Sequence, residues 1–541
     1  MNKKFPYSQI ICLLAFGLLF SLYGCNQNQD NEYYYPISNE KIQEIENLEL
    51  KEAPEGTKQE VNEPVPSEMK LILEECRALT LENNLDLKVQ LINPAIAQES
   101  VNQQRAKFEA VFNSSAHFSN SKTATSSTIS SSSSETLDLD FGVKVPLSTG
   151  GTINFDIGDS YADSENSFNT INPSYGSNSS ISISQPLLKN AGKSVNTYSI
   201  KIAETNSQIT NATTKLEVIR VLASVDRAYW RLYAARKELE VRTQQYDLAV
   251  ALFEQAERFV EAGEKAQIEV IRSQAGVAQQ LEAIIISENN VRDRERELKQ
   301  TINKSNIPMS SPTVIIPATE PDPIRYELER SKMVEVAMDQ RMEMLELELR
   351  IIQDALAIDN TKNLMLPLVT MDYTYSINGL GRTRSHSYDM LTGTKNKGHN
   401  LGLQLMVPLG NKDAESQWLQ AIYQKRQRLA SRESRASAIE YEVLSAADQV
   451  EANWQRILAS RQSAILEGRL YETERRQFEL GLVTSTDVLQ AQANYANSQS
   501  AEISALVDYQ ISLVDLAYAT GTIFGSAKIR WEPIDIEVDT K

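Results

Sequence analysis

One pattern is written twice along the chain, and it limits the possible folds more than any other feature. Arg258-Phe259-Val260-Glu261-Ala262-Gly263 is followed by Glu269-Val270 and Gln274-Ala275. Arg476-Gln477-Phe478-Glu479-Leu480-Gly481 is followed, in step, by Asp487-Val488 and Gln492-Ala493. Upstream, apolar residues recur every seventh position in one frame: Val225, Leu232, Leu239, Tyr246, Phe253 and Val260, then Val443, Val450, Ile457, Ala464, Tyr471 and Phe478. A sustained seven-residue repeat is a coiled-coil seam, and an internal duplication means two copies of one unit. Residues 194–260 and 412–478 read as nearly unbroken helices, each about 100 Å long. Each continues, after a glycine, into a helix ending near 303 or 520, and each repeat opens with a helix, at 68–107 or 328–363. Two shorter helices end to end span about one long helix, so each repeat forms a two-helix-thick wall. Gly263 and Gly481 stand where one helix reverses into the next, the usual task of a glycine past a helix C-terminus.

Between the opening and long helices the period changes to two. In Leu137–Val145 the odd positions are apolar and the even ones polar or glycine. Ile153, Phe155 and Ile157 alternate likewise, as do Ile181 and Ile183, and Phe112, Ala116 and Phe118. The second repeat supplies Val369 to Ile377 and Leu401 to Val407. This suggests six strands, four in the first repeat and two in the second, apolar toward lipid and polar toward a wet lumen. A soluble sandwich alternates too, so each strand alone is weak evidence. The polar stretches 119–135, 159–179 and 379–398 read as exterior loops, and Ser148-Thr149-Gly150-Gly151 as a tight inner turn. Six strands are too few to enclose a channel, and hydrocarbon does not tolerate open sheet edges. Closure therefore requires several copies.

Lys3 and Lys4 precede the short apolar run Ile10 to Phe20, the layout of a secretory signal peptide. It ends in Leu22-Tyr23-Gly24-Cys25, which resembles a bacterial lipobox, so Cys25 is the expected lipidation site. Asn26 is compatible with sorting to the outer membrane. The expected organisation is a signal peptide at 1–24, a lipidated acidic tether at 25–66, a first repeat at 67–304, a linker at 305–327, a second repeat at 328–521 and a tail at 522–541.

A formal net charge of −18 argues against nucleic acid as a partner. The three cysteines form no CxxC pair, and His117, His386 and His399 are scattered, so no catalytic, cofactor or metal site is expected. Cys76 reads as a small buried apolar residue, and Met333, Met338, Met342 and Met344 as core filler rather than copper ligands.

In order and duplication, Leu81-Glu82-Asn83-Asn84, Gln185-Pro186-Leu187-Leu188, Val407-Pro408-Leu409-Gly410 and Phe478-Glu479-Leu480-Gly481 with Asp487-Val488-Leu489 resemble the TolC-like outer-membrane efflux proteins. The resemblance covers about residues 68–521. It implies a mostly α chain with a transmembrane β-barrel portion: three copies form an outer-membrane barrel above a long coiled-coil α-barrel. It also implies a periplasmic adaptor and an inner-membrane pump as partners, passive outward conduction in efflux or type I secretion, and no catalysis. The family usually contributes four strands per copy, closing a barrel of twelve. Here the apparent extra hairpin at 137–158 would make eighteen if both its strands join the wall. The family gates at the helix tips. Asp487 matches its aperture carboxylate, Glu269 takes the same place in the first repeat, and Phe478 takes the position of a gate aromatic. Val483 and Gln490 depart from the basic and acidic residues often found there. The rival from another class is a purely structural coiled-coil lipoprotein, which leaves the amphipathic strands unexplained.

Overall fold

A computed structural model describes residues 68–122, 133–164, 169–304, 307–394 and 396–530; the leader, Cys25 and the tether lie outside them. The first repeat runs β1 (Glu68–Leu71), α1 (Leu73–Asn83), α2 (Leu85–Arg105), β2 (Val111–Lys122), β3 (Ser133–Pro146), β4 (Thr152–Ser164), β5 (Ser174–Pro186), α3 (Lys193–Asn196), α4 (Tyr198–Glu261) and α5 (Gln267–Ile302). β6 (Val314–Pro317) lies between the repeats. The second repeat runs α6 (Arg330–Gln340), α7 (Met342–Leu364), β7 (Leu368–Gly381), α8 (Arg384–Thr392), β8 (Lys397–Met406), α9 (Lys412–Glu479), α10 (Ser485–Ala519) and α11 (Ile523–Ser526).

The long helices α4 and α9 contain 64 and 68 residues, about 100 Å each. In α9 the seven-residue row is the packing seam: Val443, Val450, Ile457, Ala464, Tyr471 and Phe478 are all buried. In α4 the row is fully buried only at Val225 and Leu232; further on, burial passes to Ala235, Val241, Gln245, Ala249, Leu252 and Ala256. A straight helix drifts against a seven-residue repeat. α4 also packs against α2, α5, α7 and α10, so it has more than one buried face.

The two opening helices are broken, where the sequence suggested continuous ones. Asn84 (ψ 124°) separates α1 from α2, and Arg341 (ψ 127°) separates α6 from α7. At each break the returning helix ends against the joint in a left-handed residue, Asn303 (φ 49°) or Gly521 (φ 73°). The first joint is held by neutral amides. Asn84 donates to Thr301 O at 2.9 Å and accepts the Leu87 N–H at 2.9 Å. The second is held by charge: the buried Arg341 pairs with Glu343 and Glu442, and Arg435 bonds to both acids at 3.0 and 3.1 Å. Neither break carries a proline or glycine signal.

The linker is also ordered differently. β1 and β6 form a two-stranded parallel sheet, from Glu68↔Val314 to Leu71↔Pro317. The buried Tyr229 hydroxyl clamps it, donating to Leu71 O at 3.1 Å and accepting the Thr319 N–H at 2.8 Å.

The remaining strands form one antiparallel sheet in the order β2-β3-β4-β5-β7-β8. Its register segregates the two faces. One row across it reads Phe112, Val143, Phe155, Ile181 and Tyr375, ending in His399 on the edge strand; the adjacent row reads Asn113, Gly142, Asp156, Ser180, Ser376 and Gly398. Phe112, Phe118, Phe141, Phe155, Ile181, Leu401 and Leu403 are exposed on the apolar face. So many exposed apolar side chains on one face mark a surface that meets lipid or another chain. β2 and β8 are the edges.

All three expected loops are partly structured; β2 runs to Lys122 and β3 begins at Ser133, inside the expected 119–135 loop. Strands reach to Ser164 and resume at Ser174, narrowing the 159–179 loop. The 379–398 stretch contains α8, which docks on β5 and β7 through a Ser177–Ser387 hydroxyl bond of 2.7 Å. Gly379 permits that approach, because a Cβ there would collide with the Ser387 carbonyl.

Candidate functional site at the paired helix tips

Both long helices end in the same way. The Gly263 N–H bonds to Val260 O at 3.0 Å and the Glu264 N–H to Phe259 O at 2.8 Å; the Gly481 N–H bonds to Phe478 O at 3.0 Å and the Leu482 N–H to Gln477 O at 2.9 Å. These are paired Schellman closures. The glycines have φ of +74° and +76° with open space around them, so backbone conformation alone accounts for glycine here.

The next helix starts differently in the two repeats. α10 has Thr484 at its N-cap, and the Asp487 carboxylate accepts the Thr484 N–H at 2.9 Å and its hydroxyl at 2.7 Å. This capping box occupies Asp487 as a helix-start acid. Its carboxyl is exposed, and the Thr484 hydrogen bonds hold it below the usual aspartate range. α5 has Ala266 at its N-cap, which offers no side-chain bond. Its acid, Glu269, reaches instead across to the other repeat and accepts the buried Ser485 N–H at 2.8 Å. Arg272 pairs with it at 2.9 Å. Burial pushes the Glu269 carboxyl up, but the Ser485 bonds and the Arg272 and Lys265 charges outweigh it, so the net shift is downward.

Phe478 is wholly buried and packs edge-on to Phe259, with centroids 6.0 Å apart. Around them lie Leu252, Tyr471, Val488 and Ala491, with Val483 packed against the cluster. Lys265 stands over both phenyl rings and donates to Phe478 O at 2.9 Å. Burial lowers its pKa despite nearby Glu269 and Glu264. Higher up, Gln492 donates to Gln245 O at 2.6 Å. The first hairpin is thus fastened to the second by Glu269, Lys265 and Gln245. Asp487 stays open to a shallow concavity shared with Glu474, Gln490 and Asn494, and Gln490 bonds only to Asn494 there, at 3.0 Å.

The sequence pointed to Gly263, Gly481, Glu269, Asp487 and Phe478, which lie together at the tips. It missed Lys265, Arg272, Thr484 and Ser485. Only Thr484 had a legible signal, as a threonine three residues before an acid. Among the described residues no group of three His, Cys, Asp or Glu is placed to hold a metal ion. Cys76 is buried, its thiol pushed up to about 12 chiefly by that burial. Met333, Met338 and Met344 sit in or against a core cluster.

No curated protein sequence matches the chain. Solved structures of similar fold include a membrane protein from Pseudomonas aeruginosa (16% identity, TM-score 0.62, 83% of this chain and 93% of that one). The outer membrane channel CmeC of Campylobacter jejuni is similar at 15% identity and TM-score 0.61, over 83% and 86% of the two chains. The outer membrane protein VceC of Vibrio cholerae is similar at 14% identity and TM-score 0.59, over 83% and 96%. The family model described as outer membrane efflux protein matches residues 152–304 and 334–522, more than half of the sequence. The chain belongs to the outer membrane efflux protein family.

Proposed function

We propose that three copies of this chain form an outer-membrane duct, anchored through a lipid on Cys25, that passively conducts substrates from periplasm to exterior. The duct serves a tripartite efflux or type I secretion system, with a periplasmic adaptor and an inner-membrane pump docking at its inner end. The observation that carries this is the six-stranded sheet with one exposed apolar face and two open edges, joined to helical hairpins about 100 Å long. One sheet of six strands cannot close a pore, and unpaired edges are not stable in hydrocarbon, so β8 of one copy pairs with β2 of the next. Gly263 and Gly481 turn the walls at the inner end, where Phe478 packs the tip. There Asp487, three times repeated, rings the aperture with negative potential and favours cations. Glu269 fastens each copy's two hairpins together.

The test is the oligomeric state of the detergent-purified lipoprotein together with its single-channel conductance in planar bilayers. A trimer with discrete, cation-preferring openings, the preference weakened in Asp487→Ala, supports the duct. A monomer or dimer without conductance sinks it and leaves a structural coiled-coil lipoprotein as the better explanation.

A further inference from the structure

The hairpin β3–β4 is built into the middle of the sheet. β2 pairs with β3 from Val111↔Lys144 to Lys122↔Ser133, and β4 pairs with β5 from Thr152↔Ser184 to Ala162↔Ser174. Among the described residues β2 joins the sheet only through this hairpin, so the hairpin cannot leave the wall without detaching the edge. The apolar row crosses it unbroken, through Val143 and Phe155.

Its inner turn is fixed by bonds beyond the β3–β4 ladder. The Gly192 N–H bonds to Thr149 O at 3.0 Å, and Thr149 Oγ1 to Gln185 Oε1 at 2.9 Å. These bonds tie the turn to the junction between β5 and the long helix. Gly150 has φ +93°, and a Cβ there would strike the Asn190 carbonyl. The turn therefore admits only glycine at that position and holds the hairpin in place at its base.

We infer that the exit is an eighteen-stranded wall, six strands from each of three copies, wide enough for bulky hydrated solutes that a twelve-stranded wall excludes. This rests on the trimeric duct proposed above. With strands about 4.8 Å apart and tilted by about 40°, eighteen close at about 36 Å between facing backbones and twelve at about 24 Å. The polar face adds little to the constriction. Two of its rows at mid-height, Asn113-Gly142-Asp156-Ser180-Ser376-Gly398 and Ser115-Asp140-Gly158-Asn178-Asn378, contain only short side chains or none, while Lys144, His117 and Leu380 lie on the rows beyond them. These two rows hold no aromatic or aliphatic group that would grip an apolar molecule, so at mid-height the lining suits a large hydrophilic cargo.

Two measurements test this. Electron cryomicroscopy of the intact protein in lipid nanodiscs counts the strands. Uncharged polyethylene glycols of graded size, added on the outer side of planar bilayers, measure the mouth of the wild type and of a variant lacking residues 133–164. Eighteen strands, with a polymer cut-off radius at least a third larger than the deletion variant's, are expected. A trimer with twelve strands and the hairpin off the wall overturns this inference and leaves the duct standing; a protein that is not trimeric overturns both. If the deletion variant does not fold, the strand count decides alone, and Gly150→Val, with its strained turn, is expected to loosen the hairpin density.

Discussion

Glu269 and Asp487 occupy the same place in the two repeats, yet they bond to different groups because one residue upstream differs. Thr484 offers Asp487 a local partner; Ala266 offers Glu269 none, and Glu269 bridges to Ser485 instead. Glu269→Ala leaves a buried N–H unpaired, which costs about 1–3 kcal/mol. Faster hydrogen exchange at the Ser485 amide would register that loss, whereas Asp487→Ala should affect mainly the first turn of α10. Both carboxyls are held below their ordinary values, so their contribution is complete above those values and lost as pH falls through the lower, folded ones. The tip fastening is therefore intact at neutral pH and loosens only below the ordinary glutamate value of 4.5. Protection of the Ser485 amide, measured relative to the intrinsic exchange rate at each pH, should stay flat from pH 7 to about 4.5 and then fall toward pH 3, and in Glu269→Gln that fall should be largely absent. Truncating the buried ring in Phe478→Ala should cost about 3–5 kcal/mol, visible as a lower denaturant midpoint. The duplicated spacing placed both acids at the tips. It could not say which N–H each one takes, because that depends on the other repeat's backbone.

The long helices were legible because six apolar residues spaced seven apart trace one seam, and in α9 all six are buried. α4 departs from it because contacts on several sides, rather than one seam, decide what is buried. The breaks at Asn84 and Arg341 were not legible, since each is set by side-chain bonds to distant residues. The β1–β6 sheet was hidden for the same reason: its strands are four residues each, and paired residues such as Glu68 and Val314 are 246 positions apart. Tyr229 holds that sheet, and Tyr229→Phe should cost about 1–3 kcal/mol by leaving the Thr319 N–H unpaired; limited proteolysis near residue 319 would report it. The charged second joint responds to acid as the amide joint does not. Burial raises the Glu343 carboxyl, but its bonds to Arg341 and Arg435 win and hold it low. That joint weakens as pH drops below 4.5.

At the scale of the whole molecule, alternation along each strand revealed both faces, and the structure joins them into one sheet with the inserted hairpin inside it. The docking of α8 against Gly379 lay beyond a single sequence, because a glycine in a strand does not announce what approaches it. The sheet ends in two edges, and the central claim is that these edges meet between copies. Cross-linking in intact outer membranes tests it most directly. One cysteine replaces Leu403 in β8, and a second is walked along β2 from Val111 to Lys122. A ladder that stops at three copies, for cysteines on one side of β2 only, is the expected result. No cross-links at any position, or a ladder that stops at two, would contradict a wall closed by three copies.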